Sequence, residues 1–375
     1  MAKDKHLDYS LLFIIIILVL SGIVILASVS SSYSFRKFGD TYYYLKHQIL
    51  FGLLPGLFLA FLAFKTKLSF FKKLSPLLLL ITLILMVVVF LPGIGMRSGD
   101  SARWINLKIF TFQPSELLKL VSIIYFATWL ESKLKKDEKP SKAKEAVPFD
   151  KTFFAFTMIL GIITALLFFQ SNISTLVVIA LTAFLMYFSM NTPLLNSVLI
   201  LLLGSGGLFV LIKLAAYRVR RLAVFLNPDL DPMGMGYQIK QALFAVGSGG
   251  ITGVGLGMSA QKFGFLPQTI SDSIFAVFAE ETGFVGATAL ILAFLLFAIL
   301  GFRTAKRSQD NFSRLAALGI TFWIIIQAFV NIGAMIRLLP LTGIPLPFIG
   351  YGGSALALEL IGMGILLNIS KNSQT

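Results

Sequence analysis

The first long apolar stretch, Tyr9–Ser28, reads YSLLFIIIILVLSGIVILAS and contains no charged residue. A helix needs about 20 apolar residues to cross the hydrocarbon core of a bilayer. Secretory signal peptides have shorter apolar regions, followed by a cleavage site of small residues. This stretch is longer and uninterrupted, and no such cleavage site precedes another domain. It therefore predicts a retained transmembrane helix, and with it a membrane protein.

Similar runs recur along the whole chain. With the first run they predict an all-α polytopic membrane protein of about ten transmembrane helices. The nine further spans are expected near residues 47–64, 74–92, 114–130, 152–169, 173–190, 193–212, 274–302, 315–339 and 351–369. The fifth and sixth spans are separated only by Gln170, Ser171 and Asn172, so this boundary is the least marked.

The distribution of lysine and arginine predicts the orientation. With the N-terminus in the cytoplasm, the inner segments hold 18 Lys and Arg residues and the longer outer segments hold 13. Cytoplasmic segments are enriched in these residues, so both termini are expected in the cytoplasm. The stretch 131–151 then becomes a charged cytoplasmic loop, and 213–272 a large extracytoplasmic loop between helices 7 and 8 of a single domain, 1–375. The apolar content of this outer loop predicts short amphipathic helices at the outer leaflet.

Composition excludes several function classes. The chain has no cysteine and only two histidines, His6 and His47, which excludes thiol catalysis and argues against a histidine-based metal site. There is no phosphate-binding loop of the ATP-driven pumps. The formal charge of +15 is scattered between apolar runs, so no nucleic-acid partner is expected.

Acidic residues in or beside membrane spans are costly and are therefore candidates for function. Glu116 and Lys119 are three positions apart at the start of the fourth span, so they share a helix face. Two interpretations stay open, a structural ion pair and the charged floor of a polar cavity.

Asp272 directly precedes the eighth span. It is either a helix N-cap or a carboxylate at an outer cavity, where partial burial raises its basicity. The basic residues of the outer loop, among them Arg218, Arg221 and Lys262, either attract anionic lipid headgroups or bind a phosphorylated ligand. The uncharged segment 339–354, rich in proline and glycine, predicts an irregular wall beside a cavity.

Four blocks of sequence, in order along the chain, resemble the SEDS family (shape, elongation, division and sporulation) of FtsW, RodA and SpoVE. The match extends from the first span to the last and is slightly closer to FtsW at 39–48. The blocks are Arg103–Lys119, Tyr237–Gly250, Gln261–Phe284 and Leu339–Ser354. The sequence departs from the family pattern at Asn172, Gln268 and Gly350, where the family usually has Asp, Glu and Ser.

The resemblance implies a peptidoglycan glycosyltransferase that polymerises lipid II into β-1,4 glycan strands, during division or elongation, at the outer face of the bacterial cytoplasmic membrane, including the division septum. It implies Asp272 as the catalytic carboxylate. The other implied substrate-binding or cavity residues are Glu116, Lys119, Arg103, Arg218, Arg221, Lys262, Gln261 and Ser354.

The implied partners are lipid II, an undecaprenyl-linked glycan chain, a class B penicillin-binding protein acting as transpeptidase, and other membrane proteins of the divisome or elongasome. A divalent cation, Mg²⁺ or Mn²⁺, is an expected cofactor with Asp272 as its candidate ligand, and no organic cofactor is expected. Two other classes stay open, a lipid II flippase with working groups across the bilayer and a non-catalytic division scaffold.

Overall fold

The computed structural model describes residues 7–98, 101–108, 110–137, 151–190 and 194–373. Within these ranges the chain is mostly helical, as the apolar runs predict. Its helices are α1 (Tyr9–Phe38), α2 (Tyr43–Gln48), α3 (Leu54–Lys65), α4 (Leu68–Val88), α5 (Pro114–Asp137), α6 (Lys151–Phe169), α7 (Ile173–Phe188), α8 (Leu194–Lys213), α9 (Ala216–Leu226), α10 (Met235–Ser248), α11 (Ile274–Arg307), α12 (Asn311–Met335) and α13 (Gly353–Ser373).

Each of the ten predicted spans coincides with helix in the described part of the chain. Seven of these segments are long and apolar enough to cross a bilayer, whereas 153–169 and 173–188 form shorter apolar helices. The number of crossings and the orientation stay predictions. The fold class is confirmed: this is an integral membrane protein.

The first helix is ten residues longer than the apolar run that predicts it. Asp8 caps its start, since the carboxylate accepts from the amides of Ser10 and Leu11. The helix continues through the charged Arg36 and ends at Gly39, whose φ of 69° suits a left-handed C-cap. The end of an apolar run therefore does not mark the end of its helix.

The core lies along α12 and α13, which are the most enclosed of the apolar spans. Helix α13 crosses α3 closely at two glycines. A Cβ at Gly364 would stand 2.2 Å from the carbonyl oxygen of Ala60, and one at Gly56 would stand 2.9 Å from the Cα of Ala357. Small residues at a membrane helix interface allow this approach.

Large apolar side chains cover the outside of the bundle instead of being confined to its core, as expected for a surface that contacts lipid tails. Exposed examples are Phe13, Leu20, Phe58, Leu80, Leu202 and Leu292.

A small antiparallel sheet, which the sequence analysis did not predict, lies between α4 and α5. Strands β1 (Gly95–Ser98), β2 (Ser101–Asn106) and β3 (Thr111–Phe112) pair in that order. Trp104 pairs with Met96, and Ile105 pairs with Phe112. The sheet places Arg103 and Trp104 at one end of the helical bundle.

The connection 213–272 is an ordered part of the fold. It contains α9 and α10, so the expectation of short helices is confirmed, while their contact with a membrane stays a prediction. The glycine-rich stretch pairs with the kink of α11 at Gly283, where Phe284 donates to the carbonyl of Gly250 at 2.8 Å. For the charged loop 131–151, residues 131–137 extend α5 and 138–150 lie outside the described residues.

Candidate functional site

Asp272 lies where the connection enters α11, and its side chain is half-buried. The N-cap position of α11 is Ser273, and this helix start has no side-chain cap bond. The backbone carbonyl of Asp272 accepts from Nδ2 of Asn331 at 2.8 Å, which fixes the backbone. The N-cap interpretation of Asp272 is therefore wrong, and its carboxylate is available for another purpose.

Burial raises the pKa of the Asp272 carboxyl above its usual range, because the charged form loses solvation. A hydrogen bond from Ser271 and the positive charges of Arg221 and Arg103 act in the opposite direction. The carboxylate is therefore a stronger base than an exposed aspartate and lies within the electrostatic reach of two guanidinium groups.

The two arginines come from distant parts of the sequence. Arg103, on β2, donates from Nε to the carbonyl of Gln170 at 3.1 Å and also bonds the carbonyl of Ser171, which fixes it beside α7. Arg221, on α9, has a buried Nε with no hydrogen-bond partner among the described residues. Arg221 thus carries an unused donor beside Asp272.

A cavity with a water-accessible volume of about 90 Å³ contains Asp272 and Arg221. Its other walls include Gln238 of α10 and the segment 341–344. Gly343 has a φ of 71°, and a Cβ there would lie 3.4 Å from Oδ2 of Asp272. The backbone of this segment approaches the carboxylate because the residue is glycine.

Asn331 of α12 also lines this cavity and was not identified from the sequence. Its Nδ2 donates to the carbonyls of Asp272 and Ile344, at 2.8 and 2.7 Å, and so joins the connection to the irregular segment. Its Oδ1 is buried and has no partner among the described residues. Asn331 and Arg221, which line the cavity, therefore each keep one enclosed polar atom without a hydrogen-bond partner among the described residues.

Glu116 and Lys119 form the predicted ion pair, at 2.7 Å, and both side chains are almost fully buried. The ammonium of Lys119 also donates to Oε1 of Gln327 at 2.7 Å. Nε2 of Gln327 then donates to Glu359 at 3.1 Å, whose other oxygen accepts from the amide of Phe348 at 2.7 Å. These residues form a continuous buried network from α5 through α12 and α13 to the irregular segment.

Glu359 and Gln327 were not assigned to the site from the sequence. An acid in the last span was a signal for Glu359. Gln327 carries no such signal, because a single glutamine in an apolar helix has no distinctive pattern.

Three other predicted residues have contacts away from Asp272. Arg218 donates to the carbonyl of Leu211 at 2.7 Å and lies over the ring of Phe168 at 4.6 Å. Lys262 is buried in an ion pair with Glu281 at 3.1 Å. Gln261 is buried in a 3-10 turn, 261–263. Arg218 and Lys262 therefore make contacts within the fold, whereas the charges of Arg103 and Arg221 lower the pKa of Asp272.

Ser354 and Ser271 line a larger neighbouring cavity of about 370 Å³. Ser354 donates to the carbonyl of Thr111 at 3.1 Å and so connects α13 to the sheet. Because Ser271 directly precedes Asp272, this cavity lies beside the one that holds the carboxylate.

The residues around Asp272 do not fit a resident divalent cation. Magnesium and manganese need several oxygen ligands, with carboxylates prominent among them. Among the described residues, no group of three or more acids and histidines is arranged to hold a metal ion. The charges that act on Asp272 are two arginines, which repel a cation.

Together, these features define an integral membrane protein in which a carboxylate of raised pKa and two arginines lie at one end of the helical bundle. The family model described as a cell cycle protein, that of FtsW, RodA and SpoVE, matches residues 9–375. The chain belongs to this family.

Two relatives cover nearly all of the chain. Stage V sporulation protein E of Bacillus subtilis is 36% identical over 372 residues, which is 99% of each chain. A probable peptidoglycan glycosyltransferase FtsW of Geobacter sp. is 36% identical, over 99% of this chain and 98% of the relative.

Two solved structures share the fold. A chain of a peptidoglycan synthase complex superposes with a TM-score of 0.79 at 24% identity, covering 98% of each chain. The rod shape determining protein RodA of Thermus thermophilus gives a TM-score of 0.69 at 24% identity, also covering 98% of each chain.

Proposed function

We propose that this protein is a peptidoglycan glycosyltransferase that polymerises lipid II at the outer face of the cytoplasmic membrane. The observation that carries the proposal is a single carboxylate, Asp272, whose burial makes it basic and which lies within reach of Arg103 and Arg221. The curated relatives named as probable peptidoglycan glycosyltransferases support the reaction class.

Asp272 is the general base in this mechanism. It takes the proton from the 4-hydroxyl of the acceptor sugar, and the oxygen attacks the anomeric carbon of the donor. The bond from that carbon to the lipid pyrophosphate breaks as the new glycosidic bond forms, so an α-linked donor gives a β-1,4 product. A carboxylate with a raised pKa suits this role, since general bases work best when their pKa approaches the working pH.

Arg221 and Arg103 stabilise the pyrophosphate as it leaves. Negative charge develops on this group in the transition state, and pre-positioned cationic donors favour it most in a site that excludes water. A guanidinium group can present two parallel N–H donors to a phosphate. A divalent cation that accompanies the pyrophosphate is part of the substrate in this proposal and is not held by a protein site.

The buried network favours an enzyme over a flippase. A flippase needs working polar groups through the depth of the bilayer. The buried polar groups of the network, from Glu116 to Glu359, instead bond to one another and to the backbone of Phe348. We further propose a class B penicillin-binding protein as the transpeptidase partner, because a chain of similar fold belongs to a peptidoglycan synthase complex that coordinates polymerization and crosslinking.

The test uses purified full-length protein with its transpeptidase partner and lipid II, with glycan strands separated by gel electrophoresis. Strands are expected from the wild type, and Asp272→Asn should lower the rate by at least about 100-fold, the lower end for loss of a general base. Asp229→Asn is the matched control, because Asp229 is an exposed acid of the same connection that pairs with Lys240.

Polymer from a well-folded Asp272→Ala protein would contradict the assignment. Lipid II transfer across vesicle membranes without polymer would instead support a flippase. Loss of Asp272 without effect on division, in a cell dependent on this gene, would support the scaffold.

A further inference from the structure

The larger cavity of about 370 Å³ has no role in the mechanism above. It lies between the sheet, the start of the second span and the start of α13. Its volume is within the range of small-molecule pockets, about 300–1,000 Å³. The Asp272 cavity, at about 90 Å³, holds only a few water molecules, each occupying about 30 Å³. A sugar ring that reaches Asp272 therefore needs space beyond the Asp272 cavity.

Aromatic rings form the wall of the larger cavity. His47 and Phe51 have ring centroids 4.7 Å apart, and Phe51 stacks with Phe110 of the sheet side at 5.9 Å. Tyr351 bonds Nδ1 of His47 through its hydroxyl at 2.9 Å. Trp104 of β2 is a further lining residue.

A π-helical turn, Ile49–Leu53, presents this aromatic wall. The turn joins α2 to α3 within one continuous span, and π turns occur frequently at functional sites. Gly52 in the turn lies against α13, since a Cβ there would stand 3.1 Å from the Cα of Gly353. The turn is therefore held against the start of α13, with His47 and Phe51 lining the cavity.

The lining combines aromatic faces with uncharged polar groups. Thr111, Ser271, Ser354 and Tyr351 contribute hydroxyls, and no Lys, Arg, Asp or Glu is among the lining residues of the described chain. A pyrophosphate requires positive charge, and a polyisoprenoid tail has no use for hydroxyl partners. A sugar ring has both matching features, hydroxyl edges and faces of C–H groups. Such partly positive hydrogens favour the negatively charged face of an aromatic ring.

We propose that this cavity binds an N-acetylhexosamine ring of a lipid-linked glycan, with Phe51, Phe110 and Tyr351 against the sugar and Ser271 leading to Asp272. This inference rests on the proposed function, because it names the part of that substrate which the cavity accepts. The Asp272 cavity then receives the pyrophosphate of the substrate, and the larger cavity receives its uncharged sugar.

The binding test uses chito-oligosaccharides, oligomers of N-acetylglucosamine that carry neither lipid nor pyrophosphate, and saturation-transfer difference NMR on the full-length protein in detergent. Wild type and Asp272→Asn are expected to transfer saturation to the C–H protons of the sugar. The double variant Phe51→Leu/Phe110→Leu keeps apolar volume but loses both rings, and its signal should fall at least threefold. Phe58→Leu, at an exposed position on α3 outside the cavity lining, is the matched control.

The kinetic test compares the same variants with lipid II. Each Phe→Leu change should lower kcat/KM by about 3- to 10-fold, equivalent to about 0.7–1.4 kcal/mol, whereas Phe110→Tyr, which keeps a ring at this position, should leave it unchanged. A raised KM with unchanged strand length assigns the cavity to the incoming lipid, and shorter strands assign it to the growing chain.

Unchanged kcat/KM together with unchanged saturation transfer in a folded double variant would overturn the proposal. If the wild type binds the oligosaccharide but makes no polymer, the proposed function fails and the sugar site stands. If the wild type makes polymer and the double variant behaves like Phe58→Leu, the sugar site fails and the proposed function stands.

Discussion

The Asp272 cavity and the Glu116–Glu359 network both place charged groups in an apolar bundle, yet they differ in how their hydrogen bonds are used. In the network, Gln327 bonds Lys119, Trp323, Glu359 and the carbonyl of Pro345. Beside Asp272, a donor of Arg221 and an acceptor of Asn331 are buried without a partner in the described chain. Buried polar groups without partners are costly. In the network, Oε2 of Glu116 lacks a hydrogen bond of good geometry but has the ammonium of Lys119 at 2.7 Å, whereas Nε of Arg221 and Oδ1 of Asn331 have no hydrogen-bond partner among the described residues.

The largest expected effect is on stability, at the network. Lys119→Met removes the partner of Glu116 and of Gln327 while keeping similar length. Loss of one member of a buried ion pair costs about 3–5 kcal/mol, because the remaining charge is left unpaired. Thermal unfolding in detergent should show a lower Tm for this variant, with partial recovery in Lys119→Met/Glu116→Gln. An unchanged Tm would mean that the network is not structural.

The next effect is on activity, at Arg221. Arg221→Gln should lower kcat/KM for lipid II by about 10- to 100-fold, equivalent to about 1.4–2.7 kcal/mol, because the leaving group loses a cationic donor. Arg220→Gln is the matched control, since Arg220 is an exposed neighbour that pairs with Asp231 at 3.4 Å.

The same substitution has a pH signature. The charge of Arg221 lowers the pKa of Asp272, so its removal should raise that pKa further and move the acidic limb of the kcat/KM profile to higher pH. The wild-type limb itself should lie above the ordinary aspartate value of about 3.9. An acidic limb that moves to lower pH, or that moves equally in Arg220→Gln, would show that the charge of Arg221 does not set the pKa of Asp272.

The smallest effect is expected at Asn172, which lies between the two regions. Its Oδ1 accepts from the amide of Thr175 at 3.4 Å and its Nδ2 donates to Ser115 at 3.1 Å. Asn172→Asp keeps a good N-cap and adds a negative charge at a helix start, so stability should change by less than about 1 kcal/mol. Asn172→Ala should cost about 1 kcal/mol by the same thermal measurement. A larger loss with aspartate would show that the lost donor to Ser115, or the burial of the new charge, outweighs the helix cap.

The helices were predictable because each apolar run is long enough to predict a helix by itself. The sheet was not, since strands of four, six and two residues containing glycine and arginine carry little periodic signal. The π turn was missed for a related reason, because it continues a helix without any change in composition.

Within the site, Asp272 was identified by the resemblance, and its cost in the membrane region made it a candidate. The choice among basic residues was not available from sequence. Lys262 is nearer to Asp272 along the chain than Arg221 or Arg103, yet it pairs with Glu281 while the two arginines act on the carboxylate. Folding brings Arg103 near Asp272, 169 positions further along the chain, and no local sequence pattern predicts this proximity.

The anchoring of the glycine-rich stretch bears on how the protein can be labelled. Glu280 accepts from Ser259 and from the amide of Ala260, while Glu281 holds Lys262 and Ser28. A fluorescent or epitope tag inserted at 250–262 would separate this stretch from α11 and displace Asp272 with it. The turn at Met233, whose side chain is 90% exposed, is the better insertion point in the same connection.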